Sequence, residues 1–132
     1  MLKLLTYTRL LFSGSPKTRF QQVRKSRNLQ GLVDIHHIIP KQCHNHPTIR
    51  MSKYDIENGY NLMFLPTLAG SIKIKNLHFS RPIHMNSHKN YNKFVIEVLD
   101  EMFLNSQINE YNLCKLNRYL RQNMRHLEIP WN

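Results

Sequence analysis

Two cysteines, Cys43 and Cys114, are all that the 132 residues contain, and neither lies in a CxxC pair. That count excludes a disulfide scaffold and a four-cysteine zinc site, and favours two free thiols in a reducing compartment. Long apolar runs are also missing: no stretch approaches the ~18–20 residues needed to span a bilayer. Met1-Leu2-Lys3-Leu4-Leu5 opens like a secretion signal, but Thr6, Thr8 and Arg9 break it. The expected location is therefore intracellular, in cytoplasm or nucleus. Acidic residues are scarce. Eight Asp+Glu face 19 Lys+Arg, giving a formal net charge of +11 and a pI of about 10.0. The first acid is Asp34, and seven basic residues precede it: Lys3, Arg9, Lys17, Arg19, Arg24, Lys25 and Arg27. An Arg-rich, acid-free start also resembles a transit peptide; the plainer expectation is a basic helix on the domain surface. Such a charge does not specify a fold, but it names plausible partners, nucleic acid or an acidic membrane surface.

What is present suits one compact domain over 1–132, since 41% of the residues are hydrophobic. No repeat or low-complexity tract divides it. Residues 2–12 carry a helical apolar period that Ser13-Gly14-Ser15-Pro16 ends. Ser15 can cap a second helix, with Pro16 in its first turn, running to about Leu29. The β-branched run 32–39, stopped by Pro40, reads as a strand. A loop over 41–57 follows, with a short helix near Met51–Glu57 and a turn at Asn58-Gly59. Residues 61–65 read as a second strand ended by Pro66; residues 67–80 fit no single pattern. A helix is expected to open near Pro82 and continue past His88. Phe94, Val95, Val98, Leu99, Met102 and Phe103 form its apolar stripe. Leu113, Leu116, Leu120, Met124 and Leu127 mark a final helix, with Arg118, Arg121 and Arg125 on another face. The helices at 90–105 and 108–127 could build a dimer or complete the monomer core.

Three motifs carry chemistry: Asp34-Ile35-His36-His37-Ile38-Ile39-Pro40, Asn61-Leu62-Met63-Phe64-Leu65-Pro66, and His84-Met85-Asn86-Ser87-His88 with Tyr91-Asn92 after it. On a helix, His84 and His88 would share one face and could share one metal ion. On a strand, His36 and His37 point to opposite faces. One of them can complete a three-histidine metal site, and the other stays free to approach a phosphate. A free imidazole, with an ordinary pKa of ~6.5, can take a proton from an attacking water. An Asn carbonyl, or the backbone carbonyl beside it, can hold that imidazole in the required tautomer.

Together these motifs resemble the HNH (His-Me finger, ββα-metal) endonuclease superfamily, most nearly its double-histidine AHH/WHH-type branch. The likeness covers about residues 33–100. Ile35 stands where that branch has Ala or Trp, and Asn86 where it has Gly. The resemblance implies an α+β fold: a ββα-metal core over 32–100, flanked by a basic helical extension (1–31) and a C-terminal helix (101–132). It implies a metal-dependent endonuclease hydrolysing phosphodiester bonds, with double-stranded DNA as the expected partner and no membrane. His36, His84 and His88 would be the metal ligands, His37 the general base and Asn61 the residue that orients it, with Asn58 a rival for that place. One divalent ion is implied. Three imidazoles favour Zn²⁺, Ni²⁺ or Co²⁺ in affinity, while Mg²⁺ or Mn²⁺ could be the working ion.

Around this site, Arg81 is the candidate phosphate clamp, and Lys89 and Lys93 are further nucleic-acid contacts. Asp34 could orient a metal-binding histidine or be a surface acid. Tyr91 is expected to pack under the metal helix. Cys43-His44-Asn45-His46 and His78 are read as loop and solvated residues. Two other functions fit parts of the pattern: a non-catalytic nucleic-acid-binding protein with a structural metal site, and a basic membrane-surface protein.

Overall fold

The structure is a computed structural model, and it describes residues 14–75, 82–84, 88–126 and 128–132. The expected helix over 2–12, together with His78, Arg81 and Leu127, lies outside those residues.

Helix α1 spans Pro16–Ser26. Ser15 starts it by accepting a hydrogen bond from the Thr18 amide at 3.2 Å, and Pro16 supplies a preset φ to the first turn. It ends earlier than Leu29 because Asn28 and Gly31 take left-handed φ values of 55° and 77°. The chain then enters β1 (Val33–His37), which pairs antiparallel with β2 (Leu62–Pro66). Ile38 and Ile39 fall outside the strand but are fully buried, and Ile38 still donates to the Asn61 carbonyl at 2.8 Å.

Between the strands lie a 3₁₀ turn (Lys41–Asn45), helix α2 (Pro47–Ser52) and a second 3₁₀ turn (Gly59–Asn61). Helix α2 begins four residues before the expected Met51. The His46 ring accepts from the Thr48 amide at 3.1 Å, capping the helix where Pro47 opens it. Lys53, at φ 59°, ends it. The turn expected at Asn58-Gly59 is this second 3₁₀ turn, which the Asn58 side chain caps.

Helix α3 (Leu68–Lys73) fills part of the stretch that the sequence left undecided. It lies so close to the chain entering β1 that a Cβ at Gly70 would sit 1.8 Å from the Leu32 carbonyl oxygen. Glycine alone permits that approach.

Helices α4 (Lys89–Leu104) and α5 (Glu110–Arg125) close the core. Helix α4 buries Tyr91, Val95, Leu99 and Met102; α5 buries Leu113, Leu116, Leu120 and Met124. These positions recur every three or four residues, the apolar face of a surface helix. They join Ile38, Ile39, Ile49, Met63 and Leu65 in one core cluster. Phe103, expected in the stripe, points outward. The C-terminal tail folds back, burying Ile129 and Trp131. The architecture is thus α+β, a two-stranded sheet with five α-helices among the described residues. None of those helices is long and apolar enough to cross a membrane.

Candidate metal centre

Alternation along β1 sends His36 inward, where it is 2% exposed, and leaves His37 partly open on the other face. The His36 ring centroid lies 5.4 Å from that of His84 and 5.2 Å from that of His88. One ring nitrogen of each lies within 4.8 Å of the others. The three expected ligands therefore come together, but by a different route. Residues 82–84 are not helical, and α4 begins only at Lys89. The His84 amide donates to the Pro66 carbonyl at 2.8 Å, anchoring His84 to the end of β2.

Each of the two outer rings is steered by a second group. His84 Nδ1 lies 3.1 Å from Asp34 Oδ2, and His88 Nδ1 lies 3.0 Å from Asn92 Oδ1. With Nδ1 engaged, Nε2 is the nitrogen left on both rings. Such outer partners fix the orientation of a metal-binding imidazole. The contact expected as one option for Asp34 is present. His36 Nε2 is buried and has no hydrogen-bond partner, an arrangement that is costly unless something fills it. Burial, then the neighbouring His88, His84 and His37, push the His36 pKa down to about 2. Burial lowers that of His88 as well. Neutral imidazole is the ligand form, so an orphaned nitrogen on a ring that burial holds neutral, beside two further imidazoles, fits a divalent ion with nitrogen ligands.

The depressed His36 pKa has a consequence for stability. In the unfolded chain this ring titrates near ~6.5; in the fold it stays neutral far below that. The unfolded state therefore binds the extra proton, and stability falls as pH drops through ~6.5. The metal-free protein is expected to lose up to roughly 1.4 kcal/mol per pH unit below that point from this group. Urea midpoints measured between about pH 7.5 and 5.5 check this. His36→Gln, which cannot titrate, should flatten the slope, and an unchanged slope would refute the assignment.

A cleft of about 290 Å³ opens beside the cluster, lined by Ile35, His36, His37, Pro40, Lys41, Gln42, His84, His88 and Asn92. His37 also lines this cleft. Its Nε2 lies 3.2 Å from Glu57 Oε2. Asn61 is completely buried and its side chain reaches residues other than His37. It accepts from the Ile39 amide at 2.9 Å and the Tyr54 hydroxyl at 2.8 Å. It donates to the carbonyls of Ile39 at 3.0 Å and Ile56 at 2.8 Å. Asn117 of α5 donates to it at 3.2 Å. Asn61 thus acts on the backbone that follows His37.

The remaining expected residues divide. Lys89 and Lys93 are exposed on α4, and Lys93 lies 3.9 Å from Glu97. Tyr91 is buried beneath the rings, 5.3 Å from His36, and its hydroxyl donates to the Ile38 carbonyl. Cys43 is a buried free thiol whose pKa burial raises to about 11. His46 binds Asp100 at 2.7 Å. Four neighbours of the site escaped the sequence reading: Glu57, Lys41, Gln42 and Trp131. Trp131 lies 4.9 Å from His88 and 5.3 Å from His36, and its indole donates to the Ile83 carbonyl at 3.0 Å.

Three imidazoles gathered beside the antiparallel β1–β2 pair, that of His36 from β1 itself, form a group that could hold a metal ion. A family model for AHH, a nuclease family of the HNH/ENDO VII superfamily with conserved AHH, matches residues 21–125. The chain belongs to that nuclease family. Its one pair of adjacent histidines is His36-His37, preceded by Ile35 in place of the Ala of the family name. No match was found among curated proteins or among solved structures.

Proposed function

We propose that the protein is a metal-dependent endonuclease that hydrolyses phosphodiester bonds of double-stranded DNA inside the cell. The observation that carries this reading is the convergence of His36, His84 and His88 on one point, with His37 at the same cleft. In this reading β1, β2 and α4 form a ββα-metal finger. His36, His84 and His88 hold one divalent ion; Mg²⁺, Mn²⁺ and Zn²⁺ are the ions to test first. A bound ion supplies charge neutralisation at the phosphate and at the leaving oxygen. His37 takes the proton from the attacking water. Asn61 keeps His37 in place through the backbone of Ile39. Arg81, Lys89 and Lys93 contact the phosphate backbone. A charge of +11 makes such contact strongly salt-dependent.

Supercoiled plasmid incubated with each ion in turn tests the reading. Nicked or linear product is expected with at least one ion and none with EDTA. Salt-sensitive DNA binding without cleavage under every ion would replace this reading with a non-catalytic nucleic-acid-binding protein.

A further inference from the structure

Glu57 has no part in the scheme above, yet its carboxylate meets the proposed base. Twenty residues separate it from His37, and the Nε2–Oε2 distance is 3.2 Å. The contact is asymmetric in exposure: the His37 side chain is 16% exposed and that of Glu57 51%. A lone surface pair of this kind contributes little to stability, so any importance it has must lie in what it does to the ring.

The surrounding bonds bring both partners into register. Asn61 grips the amide and carbonyl of Ile39, two residues after His37, and the carbonyl of Ile56, one residue before Glu57. One buried side chain thus ties together the two segments that carry the pair. Ile56 is itself buried, and the Glu57 amide donates to Asp55 Oδ1 at 3.0 Å. The backbone at both ends of the contact is therefore held from inside the core.

We infer that Glu57 is a positioning residue for His37: its carboxylate accepts the Nε2 proton, holding the ring in the Nε2–H tautomer and leaving Nδ1 as the proton acceptor. The reasoning is chemical. A carboxylate can only accept a hydrogen bond, so the nitrogen facing it must carry the hydrogen. In a neutral imidazole the other nitrogen then has the free lone pair. The inference rests on the proposal that His37 is the base. It also explains how Asn61 affects the base without touching it, since Asn61 fixes both the ring's backbone and the backbone of its orienting acid.

Three variants and two readouts test it. Glu57 is exposed, so Glu57→Ala should fold, and circular dichroism checks that. Its kcat on plasmid is expected to fall by roughly 10–100-fold, the loss of one charge-assisted hydrogen bond. KM and metal affinity should stay unchanged. Glu57→Gln keeps an acceptor oxygen and should recover most of that loss. Independently of activity, ¹⁵N-resolved NMR of the metal-free protein, read where the His37 ring is neutral, should find it as the Nε2–H tautomer in the wild type. In Glu57→Ala it should become a mixture of tautomers, and Glu57→Gln should restore it. The inference is overturned if Glu57→Ala keeps its kcat within about twofold, if its defect lies in metal affinity or KM, or if the wild-type ring carries its proton on Nδ1. His37→Ala separates the two levels. Should that variant stay active, the base assignment fails, while the NMR result still decides whether Glu57 sets the tautomer.

Discussion

His37→Ala is expected to remove cleavage, lowering kcat by about 10²–10⁴-fold, while leaving metal stoichiometry and DNA affinity near the wild-type values. The two adjacent histidines are opposite in situation. His36 is buried, with an unpartnered Nε2 among the other two rings. His37 stands on the other face of β1, at the cleft, with Glu57 behind it. Truncating His37 removes a proton acceptor but none of the three converging nitrogens. Its partly open ring leaves no sealed cavity, so the stability cost should be small. Calorimetric metal titration and DNA binding in Ca²⁺ or at low salt supply the controls. Activity within a few-fold of wild type would refute the assignment of the base. Loss of metal together with activity would mean that His37, and not one of the other three, completes the ligand set.

Much of this arrangement is legible in the sequence because it depends on short-range rules. Proline after each apolar run stops a strand, and β1 and β2 do end near Pro40 and Pro66. Strand alternation separates His36 from His37 without any tertiary information. The stripes at Val95, Leu99 and Met102, and at Leu113, Leu116 and Leu120, identify the two long helices and the faces they bury. What escapes is what long-range contacts decide. The spacing of His84 and His88 fits a helical face, but residues 82–84 are not helical, α4 begins only at Lys89, and His84 is anchored to Pro66 of β2. Spacing says that two side chains can meet; it does not say by which backbone. The start of α2 escapes for a local reason instead: its cap is a histidine ring, His46, and not one of the usual small polar residues.

Asn61 shows a subtler limit. The pattern picks out the right strand start, and suggests an amide or the carbonyl beside it acting on the base. The structure spends the amide on Ile39, Ile56, Tyr54 and Asn117, so that Asn61 organises backbone instead. Asn117 lies 56 residues away, and no local pattern announces that pairing. Glu57 and Trp131 are invisible for the same reason. Their places beside the histidines arise from where the chain returns, and neither residue type at its position is unusual by itself.

His84→Ala should differ from His37→Ala by losing metal and activity together. His84 is a partly exposed ring held by Asp34, so its removal spares the core and should leave a folded protein. His36→Ala would confuse the reading, because that ring is packed against Tyr91 and Trp131. Asp34→Ala gives the graded comparison. It keeps the ligand but frees its orientation, and outer partners of this kind are worth about 10–100-fold in metal affinity. The order of affinity should therefore be wild type, then Asp34→Ala, then His84→Ala. Trp131 provides a direct readout. It is the single tryptophan, and its ring lies 4.9 Å from that of His88, inclined by 30°. A quenching ion such as Co²⁺ or Ni²⁺ at the three histidines would sit close to the indole and should reduce its emission saturably in the wild type. The titration should shift to higher concentration in Asp34→Ala and vanish in His84→Ala. Equal quenching in the His84→Ala variant would show that the ion is held elsewhere, and the three-histidine assignment would fall with it.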